Sequence, residues 1–501
     1  MSSTIDRIQS KPVVCVIGSG PAGVACARAL VARGVRPIVL DGGRRLEPER
    51  EAAIGRVPVD ELRRSFPVDL DELPLKPVHG STFAYAPEAI EADGFGAVPS
   101  LAVGGLGAVW GAAMLPYSER DHDGWPFGPD ELAPHYRAVF DFVPLAGEED
   151  ALAAIFPLYG DARPLRATRQ VSSMLADLRR VRSTGVVGGR ARLAVHVDRC
   201  DYLGMCLLGC PRSAIWSSEE ALRALVADGG VDHRPGAIVD RVEERAGRPR
   251  VHLRGGGTLD ADVVLVAAGA LATTRIALAS LETYELEVTL LDSAYSTFPL
   301  LRWRGAPREE QGNTLAQAFL EIDDGVTSTR PVHVQLYGFN DLMLQAAAAR
   351  TRLPEPVVDS LFAPLLRRLV FAQAYLHSDV SPGARAMLRR DGVLHVRGDG
   401  DARPAAARVL RTLRSLRRQL RMDPVGPLQR VWPPGKGFHV GGSLPMRSRP
   451  SGLETDLLGR IPGFAHVHLA DAAAFPTVPA TTITLAAMAN AHRIAAASLE
   501  A

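Results

Sequence analysis

The sequence predicts an α/β fold in which a Rossmann-like dinucleotide-binding unit is joined to a second region of mixed strands and helices. Three observations predict it. An apolar run at residues 13–17 breaks into Gly18-Ser19-Gly20-Pro21-Ala22-Gly23 and an alanine-rich stretch to Val31. A second apolar run, 37–40, ends on Asp41, and residues 285–345 carry strand-like segments such as Val332-His333-Val334-Gln335-Leu336-Tyr337. Apolar runs that stop at glycine and resume with helical spacing read as strand, tight turn and helix.

In the first unit each glycine has its own task. Gly18 permits a turn with positive φ, Gly20 removes a side chain where a pyrophosphate must approach, and Gly23 lets helix and strand pack closely. Pro21 and Ala22 open the helix, so phosphates would sit at its N-terminus. Asp41 falls near the offset of about twenty residues at which a carboxylate accepts adenosine ribose hydroxyls. An acid there disfavours a 2′-phosphate, so NADP is not expected. The fingerprint alone does not separate FAD from NAD.

The C-terminal end bears on that choice. Phe438-His439-Val440-Gly441-Gly442-Ser443-Leu444-Pro445-Met446 is followed by Val467-His468-Leu469-Ala470-Asp471, by Phe475-Pro476-Thr477-Val478-Pro479 and by a helix-like run over 484–497. Upstream lie Val103-Gly104-Gly105-Leu106-Gly107-Ala108-Val109-Trp110-Gly111, Trp125-Pro126, and an apolar run at 263–267 leading into Ala268-Gly269-Ala270. With these pieces in this order the chain resembles the glucose-methanol-choline family of FAD-dependent oxidoreductases, in its sugar- and polyol-oxidising branch.

The resemblance implies a discontinuous Rossmann-like FAD-binding domain at 1–284 and 433–501, including the glycine-rich loop 103–111 and a cysteine loop 200–210. An α+β substrate-binding domain built on an antiparallel sheet would be inserted at 285–432. The implied cofactor is FAD, held by Gly18, Gly20, Pro21, Ala22, Gly23, Asp41, Gly104, Gly105, Gly107, Gly269, Asp471 and Ala472. Inside the insertion, helices are expected over 341–375 and 404–421. Arg408, Arg411, Arg414, Arg417 and Arg418 then fall on a solvated helix face.

Oxidising an alcohol by hydride transfer to flavin N5 requires that the hydroxyl proton leave with the hydride, so a neutral base must reach that oxygen. Imidazole, with an unperturbed pKa of about 6.5, suits the task. His439 occupies the position of the family's base. The family's second polar residue, His or Asn, is matched here by Thr482, a departure: threonine can orient the substrate oxygen but cannot act as a base at neutral pH. An offset of one would put Thr481 there instead. Asp471 is expected to cap the segment after it and to bind the flavin ribityl or pyrophosphate.

Cys15 and Cys26 lie in the first strand and helix and read as small buried hydrophobes. Cys200, Cys206 and Cys210 share one compact loop with a proline directly after the last. Two readings stay open. The arrangement resembles that of flavin sugar dehydrogenases that hold a [3Fe-4S] cluster with three thiolates, and it equally fits a cysteine-bearing loop without metal. Zinc, with His196 as a fourth ligand, is a lesser reading. A cluster would make the enzyme a dehydrogenase wired to a protein carrier; without one, O2 or a diffusible acceptor reoxidises the flavin.

At 501 residues and 47% hydrophobic content the chain can form two or three domain-sized units. No run approaches the roughly eighteen apolar residues of a membrane helix. A formal net charge of +1 gives no reason to expect a nucleic-acid partner. The first ten residues are polar without an export signal, so a cytoplasmic location is expected. Only Lys11, Lys76 and Lys436 are lysines, which suggests a GC-rich bacterial genome. The resemblance implies a polyhydroxylated substrate, a sugar, glycoside or aminoglycoside-like saccharide, with Gln335, Tyr337, Asn340 and Gln373 as candidate pocket residues that ordinary strand and loop polarity would also explain. The alternatives are an oxidase of a lipid- or sterol-like alcohol, which a dry apolar pocket would favour, and a flavin-fold protein that binds without chemistry.

Overall fold

The computed structural model describes residues 12–54, 56–64, 81–85, 89–306 and 312–500; the polar N-terminal segment, with Lys11 and Lys76, lies outside them. A five-stranded parallel sheet runs in the order Val467–Leu469, Val263–Val266, Val14–Ile17, Ile38–Asp41, Asp232–Pro235. Its strands come from the two ends and the middle of the chain, as a discontinuous Rossmann-like fold requires. The two central strands, VCVI and VVLV, are buried along their whole length. Unbroken apolar runs are what a parallel sheet covered on both faces demands.

The helix Pro21–Val31 follows the first strand and packs against the C-terminal helix Thr484–Ala497. Both are alanine-rich, and small side chains let the two backbones come close. Cys26 donates from Sγ to the Ala491 carbonyl across that contact at 3.5 Å. Cys15 and Cys26 are fully buried, and burial drives both thiols up, Cys15 to about 12. They behave as inert core residues.

The second region is built on an antiparallel sheet in the order Met422–Pro424, Tyr295–Arg302, Leu369–Leu376, Val332–Gly338, Ala318–Ile322, Val186–Arg190, with Arg430–Val431 also pairing to Tyr295–Arg302. Residues 186–190 therefore join it from well upstream of residue 285. Strand periodicity divides its side chains. Phe298, Leu300, Val334, Leu336, Ala372 and Ala374 pack on one face with Val409 and Leu413 of the helix Arg403–Ser415. Tyr295, Thr297, Gln335, Tyr337, Phe371, Gln373 and Tyr375 lie on the other, facing a cavity.

The helix expected over 341–375 is corrected: helices span Asp341–Thr351 and Glu355–Leu366, and Leu369–Leu376 is a central strand. Leu-Val-Phe-Ala-Gln-Ala-Tyr-Leu alternates, and two neighbouring strands satisfy its backbone on both sides. The region 404–421 is helical as expected, over Arg403–Ser415 and Arg417–Leu420. Arg411, Arg414, Arg417 and Arg418 are exposed there, whereas Arg408 is half-buried and donates to the Thr327 carbonyl. Another sheet, in the order Val440–Gly441, Glu287–Asp292, Ala384–Leu388, Leu394–Gly398, Ile90–Asp93, packs against the helix Ala270–Ser280 and carries His439 at its edge. Among the described residues no helix is long and apolar enough to cross a membrane.

Candidate active site

A single cavity of about 620 Å³ runs from the Gly18–Ala22 turn to the polar face of the antiparallel sheet. Gly18, Gly20, Pro21, Ala22 and Asp41 line one end; Gly105, Gly107, Gly269, Asp471 and Ala472 line the middle; His439 and Thr482 line the far end. Two of the glycines expected to bind cofactor, Gly23 and Gly104, are not among the lining residues, and both make close contacts within the protein. A Cβ on Gly23 would meet the Gly18 carbonyl at 1.9 Å. Gly104 joins two loops, receiving the Ser218 hydroxyl on its carbonyl at 2.6 Å and donating its amide to Ser19 Oγ at 2.9 Å.

Gly18 has φ 105°, and a Cβ there would lie 2.3 Å from the Ala267 carbonyl, so the strand-to-helix turn admits only glycine. Gly20 is different. A Cβ on it would come no closer than 3.9 Å to any protein atom and would project into space that the chain leaves open. That cradle fits a pyrophosphate approaching the helix N-terminus.

Asp41 sits at the end of its strand, where Oδ1 accepts from the Gly43 amide at 2.9 Å and Oδ2 lies 3.0 Å from His233 Nε2. His233 stands on the neighbouring strand, beside Val39 in register. Nothing in the local sequence pairs it with Asp41. Asp471 is fully committed: Oδ2 accepts from the Gly269 amide at 2.8 Å and the Thr273 hydroxyl at 2.6 Å, and Oδ1 accepts from the Ala473 amide at 2.9 Å. Its carboxylate caps the following turn and ties it to Gly269, and burial raises its pKa. The capping expected from sequence is therefore what the side chain does, and the backbone at Asp471 and Ala472 is what remains to face a cofactor.

His439 is held by its own backbone, whose carbonyl accepts from Ser293 at 3.1 Å, and by Tyr375, whose ring stacks on the imidazole with centroids 5.1 Å apart. Its Nδ1 is buried with no hydrogen-bond partner among the described residues. Burial, and secondarily the positive potential of His333, push its pKa down to about 3. The ring is thus held neutral at ordinary pH. Of the two candidate threonines, Thr482 lines the cavity, and its buried hydroxyl has no partner among the described residues.

The four polar residues proposed for the substrate side, Gln335, Tyr337, Asn340 and Gln373, all line the cavity. Tyr337 donates to Gln335 Oε1 at 2.8 Å, and Gln373 Oε1 lies 3.1 Å from the Tyr375 hydroxyl and 3.2 Å from that of Tyr337. With their carbonyls engaged in this way, both amides keep NH2 groups able to donate. Sequence reasoning missed the ring stack Trp432–Tyr295–Tyr375 that ends on His439, and the buried His333–Glu321 pair at 2.6 Å. Strand alternation at 295, 297 and 371, 373, 375 was a signal for one face, but which strands become neighbours is not a local property.

The three loop cysteines are each half-buried, and neighbouring thiols contribute to raising Cys200, after burial, to about 11. Cys206 and Cys210 accept from the Thr314 and Ala214 amides through sulfur. Among the described residues no group of three or more His, Cys, Asp or Glu side chains is placed to hold a metal ion.

Fold and cavity together define an α/β protein in which the glycine-rich turn at Gly18–Ala22 opens into the same chamber as a buried neutral imidazole. No family model and no curated protein matches the chain. Among solved structures it is similar to pyridoxine 4-oxidase from Mesorbium loti, with 14% sequence identity, 97% of this chain and 98% of that chain covered, and a TM-score of 0.62. The likeness is one of fold.

Proposed function

We propose that this chain is an FAD-dependent oxidoreductase of the glucose-methanol-choline type, acting on the CH–OH group of a polyhydroxylated alcohol and passing its electrons to an external acceptor. The observation that carries the reading is the continuity of one cavity from the Gly20 cradle to His439 and Thr482. The residues fit FAD: Gly20 leaves room for the pyrophosphate, Asp41 stands at the ribose end, and the Gly105–Gly107 and Gly269–Ala472 backbones flank the middle. The structure it resembles in fold is a pyridoxine 4-oxidase, and an oxidase agrees with this reading.

FAD, when bound, supplies the two-electron acceptor for the hydride of the alcohol carbon. His439 takes the hydroxyl proton on its imidazole, which lines the cavity. Thr482 donates to or accepts from the same oxygen and fixes its direction. Tyr375 holds the imidazole plane, and the Gln335 and Gln373 amides bind further hydroxyls of the substrate. A floor of amides and tyrosine hydroxyls favours a polar substrate over the lipid- or sterol-like alternative.

The test is to identify the nucleotide released from purified protein and to follow its anaerobic bleaching with a panel of sugars and polyols. Loss of bleaching with every alcohol, or release of NAD, would sink the proposal.

A further inference from the structure

The antiparallel sheet carries a buried acid–base pair close to His439. Glu321, His333, Tyr375 and Tyr295 stand opposite one another on four neighbouring strands, so their side chains form one row across the sheet. Tyr375 and Tyr295 end that row in the cavity lining, while His333 and Glu321 are buried behind it. His333 Nδ1 lies 2.6 Å from Glu321 Oε1, and Phe319 meets the imidazole edge-on at 4.8 Å and 63°. The other ring nitrogen, Nε2, is buried with no hydrogen-bond partner among the described residues.

Two imidazoles thus lie against one tyrosine. His439 stacks on the Tyr375 ring with centroids 5.1 Å apart, and His333 lies 6.1 Å from the same ring at 36°. Tyr295 stacks on Tyr375 at 5.2 Å and Trp432 on Tyr295 at 6.0 Å, a ring wall that keeps Tyr375 in place. The two bases are unequal. Burial holds His439 at a pKa of about 3, so at pH 7 it keeps a proton in about one molecule in ten thousand. His333 has a carboxylate within hydrogen-bond reach, and such a neighbour favours an imidazolium. The positive potential of His333 also weighs against a proton on His439, so the two rings hold one proton between them and not two. Asp121, itself buried, and the Arg192 guanidinium are the further charged groups that feel Glu321.

Building on the alcohol-oxidation reading, we propose that the alcohol proton comes to rest on His333, held against Glu321, after His439 has taken it from the hydroxyl. As the C–H electron pair leaves as hydride for the flavin, the O–H bond breaks, its electron pair becomes the second bond of the carbonyl, and its proton passes to His439. That N–H bond then breaks and one forms on His333, whose imidazolium faces the Glu321 carboxylate. His439 is left neutral for the next alcohol. His333 touches no substrate and acts through His439. The negative charge gained in the cavity on reduction favours the imidazolium further, so the reduced enzyme holds one proton more than the chemistry at the flavin alone accounts for.

Counting protons on reduction tests this without an alcohol. The flavin of the holoenzyme is reduced photochemically in the absence of oxygen, and its midpoint potential is followed from about pH 8 to about pH 9. Two protons taken up with two electrons give a slope of about 59 mV per pH unit, and one proton about 30 mV. The parent is expected at the two-proton slope, His333→Asn and Glu321→Gln at the one-proton slope, and His439→Ala still at two, because the proton rests on His333. A parent at the one-proton slope overturns the proposal with no variant needed. So does a His333→Asn protein that holds flavin and keeps the two-proton slope, or a His439→Ala protein that drops to one, which would put the proton on His439 itself. Each of these results leaves alcohol oxidation standing, whereas a parent protein that holds no flavin overturns the functional reading and this proposal with it.

Discussion

His439 owes its neutrality to burial, and burial has a measurable sign. Its pKa falls from about 6.5 in the unfolded chain to about 3 in the fold. The activity prediction is that kcat/KM shows no histidine limb between about pH 5 and 8, because the free enzyme's base is unprotonated throughout. His439→Ala should lower the rate by about 10²–10⁴-fold, the usual worth of a positioned base. For stability, the unfolded chain binds the proton first as pH drops. The contribution of this site is therefore complete above about pH 6.5 and lost toward pH 3. Urea unfolding of His439→Gln across that range should show a shallower acid decline than the parent. Asp292 runs the opposite way. Burial raises it to about 7 against the lowering effect of the Gly435 and Ser293 amides, so its contribution is complete below the unfolded value of about 3.8 and is lost as pH rises through 7. The stability advantage of Asp292→Asn should grow by about 2 kcal/mol between pH 5 and pH 8.

The first strand, turn and helix allow cofactor binding to be separated from folding. Gly20→Ala places a methyl in space that no protein atom occupies within 3.9 Å, whereas Gly23→Ala drives one into the Gly18 carbonyl. Gly20→Ala is expected to melt like the parent without FAD yet retain little of it, and Gly23→Ala to lose stability with or without FAD, both read by thermal melts and flavin content. These turns were legible in the sequence because a glycine's need is local: Gly18, Gly23 and the buried VCVI strand are where spacing put them. Leu369–Leu376 was not, because its alternation sits beside two helices and its state is decided by the strands on either side. Val186–Arg190, with two glycines among five residues, carries almost no strand signal and is recruited by Ala318–Ile322.

Across the whole molecule, the cavity is formed where three separately encoded pieces meet: the N-terminal turn, the His439–Thr482 segment and one face of the antiparallel sheet. Motif reading located the first two, because each is a contiguous string of residues. The ring wall was invisible to it, since Tyr295, Tyr375 and Trp432 are far apart in sequence and become neighbours only through strand register. The cysteine loop teaches the reverse lesson. A compact spacing suggested a cluster, whereas among the described residues no group of three or more His, Cys, Asp or Glu side chains is placed to hold a metal ion. Cys206→Ser should therefore keep the visible spectrum and flavin content of the parent, with no iron lost on analysis. The most direct measurement of the central claim is anaerobic stopped-flow reduction of the bound flavin by an alcohol substrate, in the parent and in His439→Ala. The account expects both proteins to hold FAD, the parent to bleach, and the variant to bleach at least about a hundredfold more slowly. Bleaching of the variant at the parent's rate, or a parent that binds no flavin, would contradict it.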